Sequence, residues 1–152
     1  MNVEERIQQI EDRVAIREVI DQYAFCADTR DAEGQMAIFT EDTNFEVYMD
    51  EKLSTPTQVV TERKNLFPVF DNLNQYLSTM HFNGQSTIKV NGDRATAITY
   101  CRAYHLKVDD GLQKLMIAGI RYYDILVKQE SKWLFSERKL KVCWIENRDA
   151  KN

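Results

Sequence analysis

Residues 94–108, RATAITYCRAYHLKV, decide how this chain folds. The run is rich in β-branched and aromatic residues, and a two-residue period puts Ala95, Ala97, Cys101 and Ala103 on the same side as His105. Working outward, the run QYLSTMHFNGQSTIKV (75–90) precedes it, and QKLMIAGIRYYDILVKQ (113–129) and KWLFSERKLKVCWIE (132–146) follow. NGD, DDG and QES lie between these runs and carry hairpin residues. The first half of the chain has a different period. Ile7, Ile10, Val14, Ile16, Ile20, Tyr23 and Ala27 recur at spacings of three and four except for the step from Val14 to Ile16, which predicts a long amphipathic helix over 3–28. Asp31 can cap a short second helix, AEGQMAIF, and NFEVYM reads as a strand. Thr55-Pro56 then opens a predicted third helix, TQVVTERKNLFPVF, weakened or kinked near Pro68.

Helices first and long consecutive strands afterwards argue for an α+β domain. The expected architecture is a cone-shaped α+β barrel, with the N-terminal helices packed in the concave face of a curved, mostly antiparallel sheet. Nothing reads as a linker, so residues 1–152 are expected to form one domain. The open end of such a cone is a natural place for a small-molecule pocket.

Composition narrows the function classes. Hydrophobic residues make up 43% of the chain, charged residues 29%, and the net charge is −4 with acids and bases interleaved. That surface gives no footing for nucleic acid or for an anionic membrane. The start, MNVEERIQQIEDR, is charged, and no run approaches the roughly 18 apolar residues of a membrane span. Cys26, Cys101 and Cys143 are far apart and odd in number, against both zinc-finger spacing and a disulfide framework. A reduced, cytoplasmic setting is expected, with no metal site and no cofactor.

Several polar residues sit where the pattern asks for apolar ones. Counted alternately, Leu134, Ser136, Arg138, Leu140, Val142 and Trp144 share one face of the last strand, and Trp133, Phe135, Glu137, Lys139 and Lys141 the other. Arg138 then points inward. A guanidinium cannot lose its charge there, so it needs a carboxylate, a ligand or carbonyls, unless a bulge turns it out or Glu41 or Asp42 pairs with it. The chain has two histidines, His81 with Thr79 and Asn83 on its face and His105 among small residues. Each could equally be a hydrogen-bonded core residue. Asp28 lies in the last turn of the first helix, where the backbone dipole disfavours a carboxylate. It could orient a histidine, pair with Arg30, or begin the turn. Tyr23, Tyr48, Tyr100, Tyr104, Tyr122 and Tyr123 make an aromatic-rich set whose default role is core packing.

The segments IREVIDQYAFCADTRDAEGQMAIFTEDTNFEV, MHFNGQSTIKVNGDRATAITYCRAYH and RYYDILVKQESKWLFSERKL resemble the SnoaL-like branch of the nuclear transport factor 2-like superfamily. That superfamily includes scytalone dehydratase, bile-acid 7-alpha-dehydratase and hexachlorocyclohexane dehydrochlorinase. The resemblance implies a base dyad of Asp28 and His81, with Arg138 and Tyr23 as further catalytic groups. It places His105 where scytalone dehydratase has a second histidine, and with Tyr48 and Tyr104 it is expected to line a substrate site. Ala27 stands where scytalone dehydratase has a catalytic tyrosine. The implied activity is cofactor-independent elimination of water or another small leaving group from a hydrophobic cyclic substrate. Two alternatives are an isomerase or cyclase using the same dyad, and a non-catalytic ligand-binding module or one like a dioxygenase small subunit. Superfamily members commonly self-associate, so a homodimer or homotrimer is expected.

Overall fold

Asn2 starts the first helix through a reciprocal capping box. Its side chain accepts from the Glu5 backbone N–H at 2.9 Å, and the Glu5 carboxylate accepts from the Asn2 N–H at 2.9 Å. In this computed structural model, which describes residues 1–150, helix α1 then runs over Val3–Asp28. Its buried face is Asp12, Ile16, Ile20, Tyr23, Ala24, Cys26 and Ala27. Ile16 and Ile20 are fully buried, each contributing roughly 1.5–3 kcal/mol. The expected apolar stripe holds only in its second half, because Ile7, Ile10 and Val14 are 50%, 61% and 53% exposed. In the first turns of α1 these apolar side chains face solvent.

Helix α2 (Ala32–Ala37) follows, capped as expected by Asp31, which accepts from the Gly34 N–H at 2.9 Å. Strands β1 (Phe39–Tyr48), β2 (Gln58–Thr61), β3 (Ser78–Asn91), β4 (Arg94–Asp109), β5 (Leu112–Gln129) and β6 (Lys132–Asp149) form one sheet in the order β2-β1-β6-β5-β4-β3. Only β1 and β6 run parallel; the other neighbours are antiparallel. The helices-then-sheet architecture is the one expected. The third helix is not. Gln58–Thr61, carrying β-branched Val59 and Val60, pairs with β1 as an edge strand. Glu62 turns the chain at φ +70°, and the helical part shrinks to α3 (Phe67–Asp71), where Pro68 sits in the first turn and breaks nothing.

Two bulges reset β6. Leu126 faces Phe135 while Ile125 faces Glu137, skipping Ser136; Gly119 faces Trp144 while Ile120 faces Val142, skipping Cys143. Trp133 and Phe135 therefore join Arg138, Leu140 and Val142 on the concave side, correcting the strict alternation, and Trp144 moves to the convex side. The concave core gathers Tyr23, Phe39, Phe45, Phe70, Tyr122 and Phe135 around α1. Arg13 and Arg17 donate to the Ile88 and Gly84 carbonyls at 2.6 and 2.8 Å, stitching α1 to β3, the outermost strand. Among the described residues no helix is long and apolar enough to cross a membrane.

Candidate active site

Helix α1 ends in a Schellman turn. The Asp31 N–H donates to the Cys26 carbonyl at 2.8 Å and the Arg30 N–H to the Ala27 carbonyl at 3.4 Å, with Arg30 in the left-handed region at φ +61°. A non-glycine residue there costs roughly 1–2 kcal/mol. The turn delivers the last helical side chain, Asp28, to the start of β3.

There the Asp28 carboxylate accepts from three donors. His81 Nδ1 donates to Oδ1 at 2.7 Å, the His81 backbone N–H donates to Oδ2 at 2.8 Å, and the Thr79 hydroxyl donates to Oδ1 at 3.0 Å. A carboxylate only accepts, so the proton of the His81–Asp28 bond belongs to Nδ1, and Nε2 is the free nitrogen. Burial raises the Asp28 carboxyl, but the hydrogen bonds from His81 and Thr79 and the attraction of His81 outweigh it and leave Asp28 below its ordinary 3.8. The side chains are 8% (His81) and 23% (Asp28) exposed, so the pair is mostly walled.

His105 stands on the same wall, its ring 5.8 Å from that of His81 and 4.9 Å from Tyr76. Its Nδ1 lies 3.4 Å from the Met116 carbonyl. Burial, and then the neighbouring His81, push its pKa below 6.5, so His105 is a neutral imidazole at neutral pH. Between the dyad and the centre of the sheet the concave wall is made of small buried side chains, Cys101, Ala103 and Ala118.

Arg138 is fully buried, as its inward place on β6 implies. Its guanidinium lies 3.6 Å from the Tyr122 ring centroid, 4.1 Å from that of Tyr23 and 4.5 Å from that of Phe135. The carboxylate beside it is Asp124 on β5, rather than Glu41 or Asp42, with Nε and Oδ1 3.0 Å apart. The approach is too bent for a hydrogen bond, so neither side chain makes one. Burial pushes the Asp124 carboxyl up to about 7 against the pull of Arg138. Tyr23 is buried in the same aromatic box, and desolvation raises its hydroxyl to about 12.

The structure thus brings Asp28, His81 and His105 together and sets Arg138 and Tyr23 deeper in the core as a second group. Tyr48 and Tyr104 are brought to neither. Tyr48 lies on the convex face, donating to Glu46 Oε1 at 2.8 Å with Lys141 over its ring. Tyr104 is on the face of β4 opposite His105, under the Arg102 guanidinium. A convex-face hollow of about 380 Å³, lined by Phe82, Tyr100, Arg102 and Trp144 among others, contains no dyad residue.

The sequence model described as a SnoaL-like domain matches residues 8–139. The chain belongs to the SnoaL-like family. No curated protein matches it in sequence. Among solved structures, a scytalone dehydratase-like protein from Novosphingobium aromaticivorans is 21% identical with a TM-score of 0.79, covering 94% of this chain and 91% of its own. A type 2 hexachlorocyclohexane dehydrochlorinase is 13% identical with a TM-score of 0.80, covering 97% and 95%. A protein of unknown function from Mycobacterium tuberculosis is 24% identical with a TM-score of 0.74, covering 89% and 73%. These likenesses establish the shared fold.

The sequence of this SnoaL-like domain did not point out Asp124, nor the contacts that Thr79 and Arg30 make. Asp124 had a signal, since Ile120, Tyr122, Asp124 and Leu126 alternate on one face and only one of them is charged. Thr79 was visible as a neighbour of His81 on its strand face, but not as a donor to Asp28. Arg30 was visible only as a direct partner for Asp28. It reaches Thr79 instead, donating to its hydroxyl at 2.8 Å and to the Ala27 carbonyl at 2.7 Å. Among the described residues no group of three or more His, Cys, Asp or Glu side chains could hold a metal ion.

Proposed function

We propose that this SnoaL-like domain is an enzyme that eliminates water, or another small leaving group, from a hydrophobic cyclic substrate with His81 as the base. The observation that carries the reading is the Asp28–His81 pair itself, joined at 2.7 Å through Nδ1 with Nε2 left free. Nε2 takes a proton from the substrate carbon next to the one bearing the leaving group. The C–H electrons become the new double bond, and the C–O bond breaks. The departing hydroxyl leaves as water with the proton held by the imidazolium, which returns His81 to its neutral form. Asp28 stabilises the imidazolium and fixes its orientation, an arrangement worth typically 10²–10⁴ in rate. His105, neutral and on the same wall, supplies a polar group to orient the substrate. The scytalone dehydratase-like and dehydrochlorinase neighbours support this choice among the reactions a dyad can run.

The experiment is a screen of small cyclic alcohols and halides for formation of a conjugated double bond by ultraviolet absorbance, repeated with His81→Ala. The variant is expected to lose roughly 10²–10⁴ in kcat/KM while keeping the wild-type circular dichroism spectrum. Full activity in His81→Ala would remove the dyad from the mechanism. A product of unchanged composition would replace elimination by isomerisation.

A further inference from the structure

We propose that Arg30 and Thr79 are positioning residues for the dyad: Arg30 fixes the Thr79 hydroxyl so that it donates to Asp28, and together they hold Asp28 as an anion aimed at His81 Nδ1. This rests on the reading of Asp28 and His81 as the base. The direction of the chain follows from chemistry. A guanidinium has donors only, so at 2.8 Å the Thr79 oxygen must accept from Arg30 Nη1. Its own proton is then directed to Asp28 Oδ1, 3.0 Å away. Asp28 Oδ1 takes Thr79 and His81 Nδ1, Oδ2 takes the His81 backbone N–H, and the carboxylate cannot rotate without losing one of them.

The backbone points the same way. Arg30 occupies the position of the Schellman turn where glycine is the residue of lowest cost, at φ +61°. An arginine there is useful only through its side chain, and that side chain binds the helix end at the Ala27 carbonyl and β3 at Thr79. One side chain therefore fixes the distance between the elements that carry Asp28 and His81.

Thr79 and His81 Nδ1 share Asp28 Oδ1, so losing the Thr79 donor, or the Arg30 contact that directs it, changes the hydrogen bond that the His81 ring makes. The other groups facing the pair are His105 and Cys101 on β4, Tyr76 before β3, and Asp21 of α1, which accepts from Asn83 on β3 at 2.9 Å. None is altered by changing Arg30 or Thr79.

The chain has two histidines, so each gives its own ring proton resonances by nuclear magnetic resonance without any substrate; His105→Gln assigns them. Arg30→Ala, which keeps a non-glycine residue at φ +61°, and Thr79→Val are each expected to shift the His81 ring resonances from their wild-type positions at pH 7. Thr79→Ser, which restores the hydroxyl, is expected to return them to the wild-type positions. His81 resonances unmoved in both variants, or Thr79→Ser behaving as Thr79→Val, overturn the proposal. Absence of elimination activity in the wild type would refute the proton-abstraction reading alone, because the resonances read the hydrogen-bond chain directly.

Discussion

The buried Arg138–Asp124 pair makes an asymmetric prediction. Both side chains are 0% exposed, 3.0 Å apart, and without a hydrogen bond. Asp124→Leu leaves a guanidinium that cannot shed its charge, held only by the rings of Tyr122, Tyr23 and Phe135. Breaking a buried pair in this way costs about 3–5 kcal/mol. Arg138→Met leaves a carboxyl that burial already lifts to about 7 and that simply takes up a proton. Its expected cost is about 1–3 kcal/mol, that of a buried polar group short of partners. Replacing both residues removes two desolvated charges, and the double variant is expected within about 1 kcal/mol of wild type. The assay is urea unfolding at pH 7, followed by fluorescence of Trp133, which is 3% exposed. The double-variant cost should fall short of the sum of the singles by about 3 kcal/mol or more. The reasoning fails if Arg138→Met costs as much as Asp124→Leu, or if the two effects add. The pH dependence is a second check. The folded pKa of Asp124 lies above its ordinary 3.8, so its contribution to stability is complete below about pH 4 and is lost as pH rises through about 7. That component of the pH slope should disappear in Asp124→Leu.

Asp28 has the opposite sign. Its folded pKa lies below 3.8, so its contribution is present above that pH and is lost as pH falls through the folded value. Asp28→Asn should therefore cost about 1–3 kcal/mol at pH 7 and progressively less in acid, measured by urea unfolding across pH 3–7; an equal cost at both ends would count against the hydrogen-bonded carboxylate. Asp12, 6% exposed on α1, accepts from the Trp133 indole at 3.0 Å and from Lys128 at 2.8 Å. Asp12→Ala should lower unfolding free energy by about 2–3 kcal/mol and change Trp133 emission, whereas Asp12→Asn, which keeps an acceptor, should cost less.

What was legible in the sequence follows the range of the interactions involved. The period of 3.6 over residues 3–28 and the hairpin residues of the second half depend on neighbours a few positions away, and α1, α2 and β3 to β6 appear where those signals put them. The segment at 55–70 failed because its competitor was remote: Val59 and Val60 found Glu46 and Phe45 of β1, and pairing overrode a local helix pattern. The faces of β6 failed for a related reason. Period two is reliable only between bulges, and where a strand skips a residue is decided by its partner, here β5 at Leu126 and Ile120. Tyr104 is a different case, since its adjacency to His105 in one unbulged stretch already assigned it to the opposite face.

The carboxylate at the end of α1 is explained by the turn that follows it. Local energetics oppose both Asp28 against the helix dipole and Arg30 in the left-handed region. The two are offset by separate contacts that meet at Thr79. Arg30 places its guanidinium on the Ala27 carbonyl, supplying positive charge where the helix lacks a basic residue in its last turn. Asp28 is compensated by donors that α1 does not contain, Thr79 and His81 of β3. Two residues that are unfavourable within their own element become favourable together once β3 is in place. Local rules fail at two positions separated by one residue, and both side chains reach the same distant strand, which is why Asp28 is the most informative anomaly in this sequence.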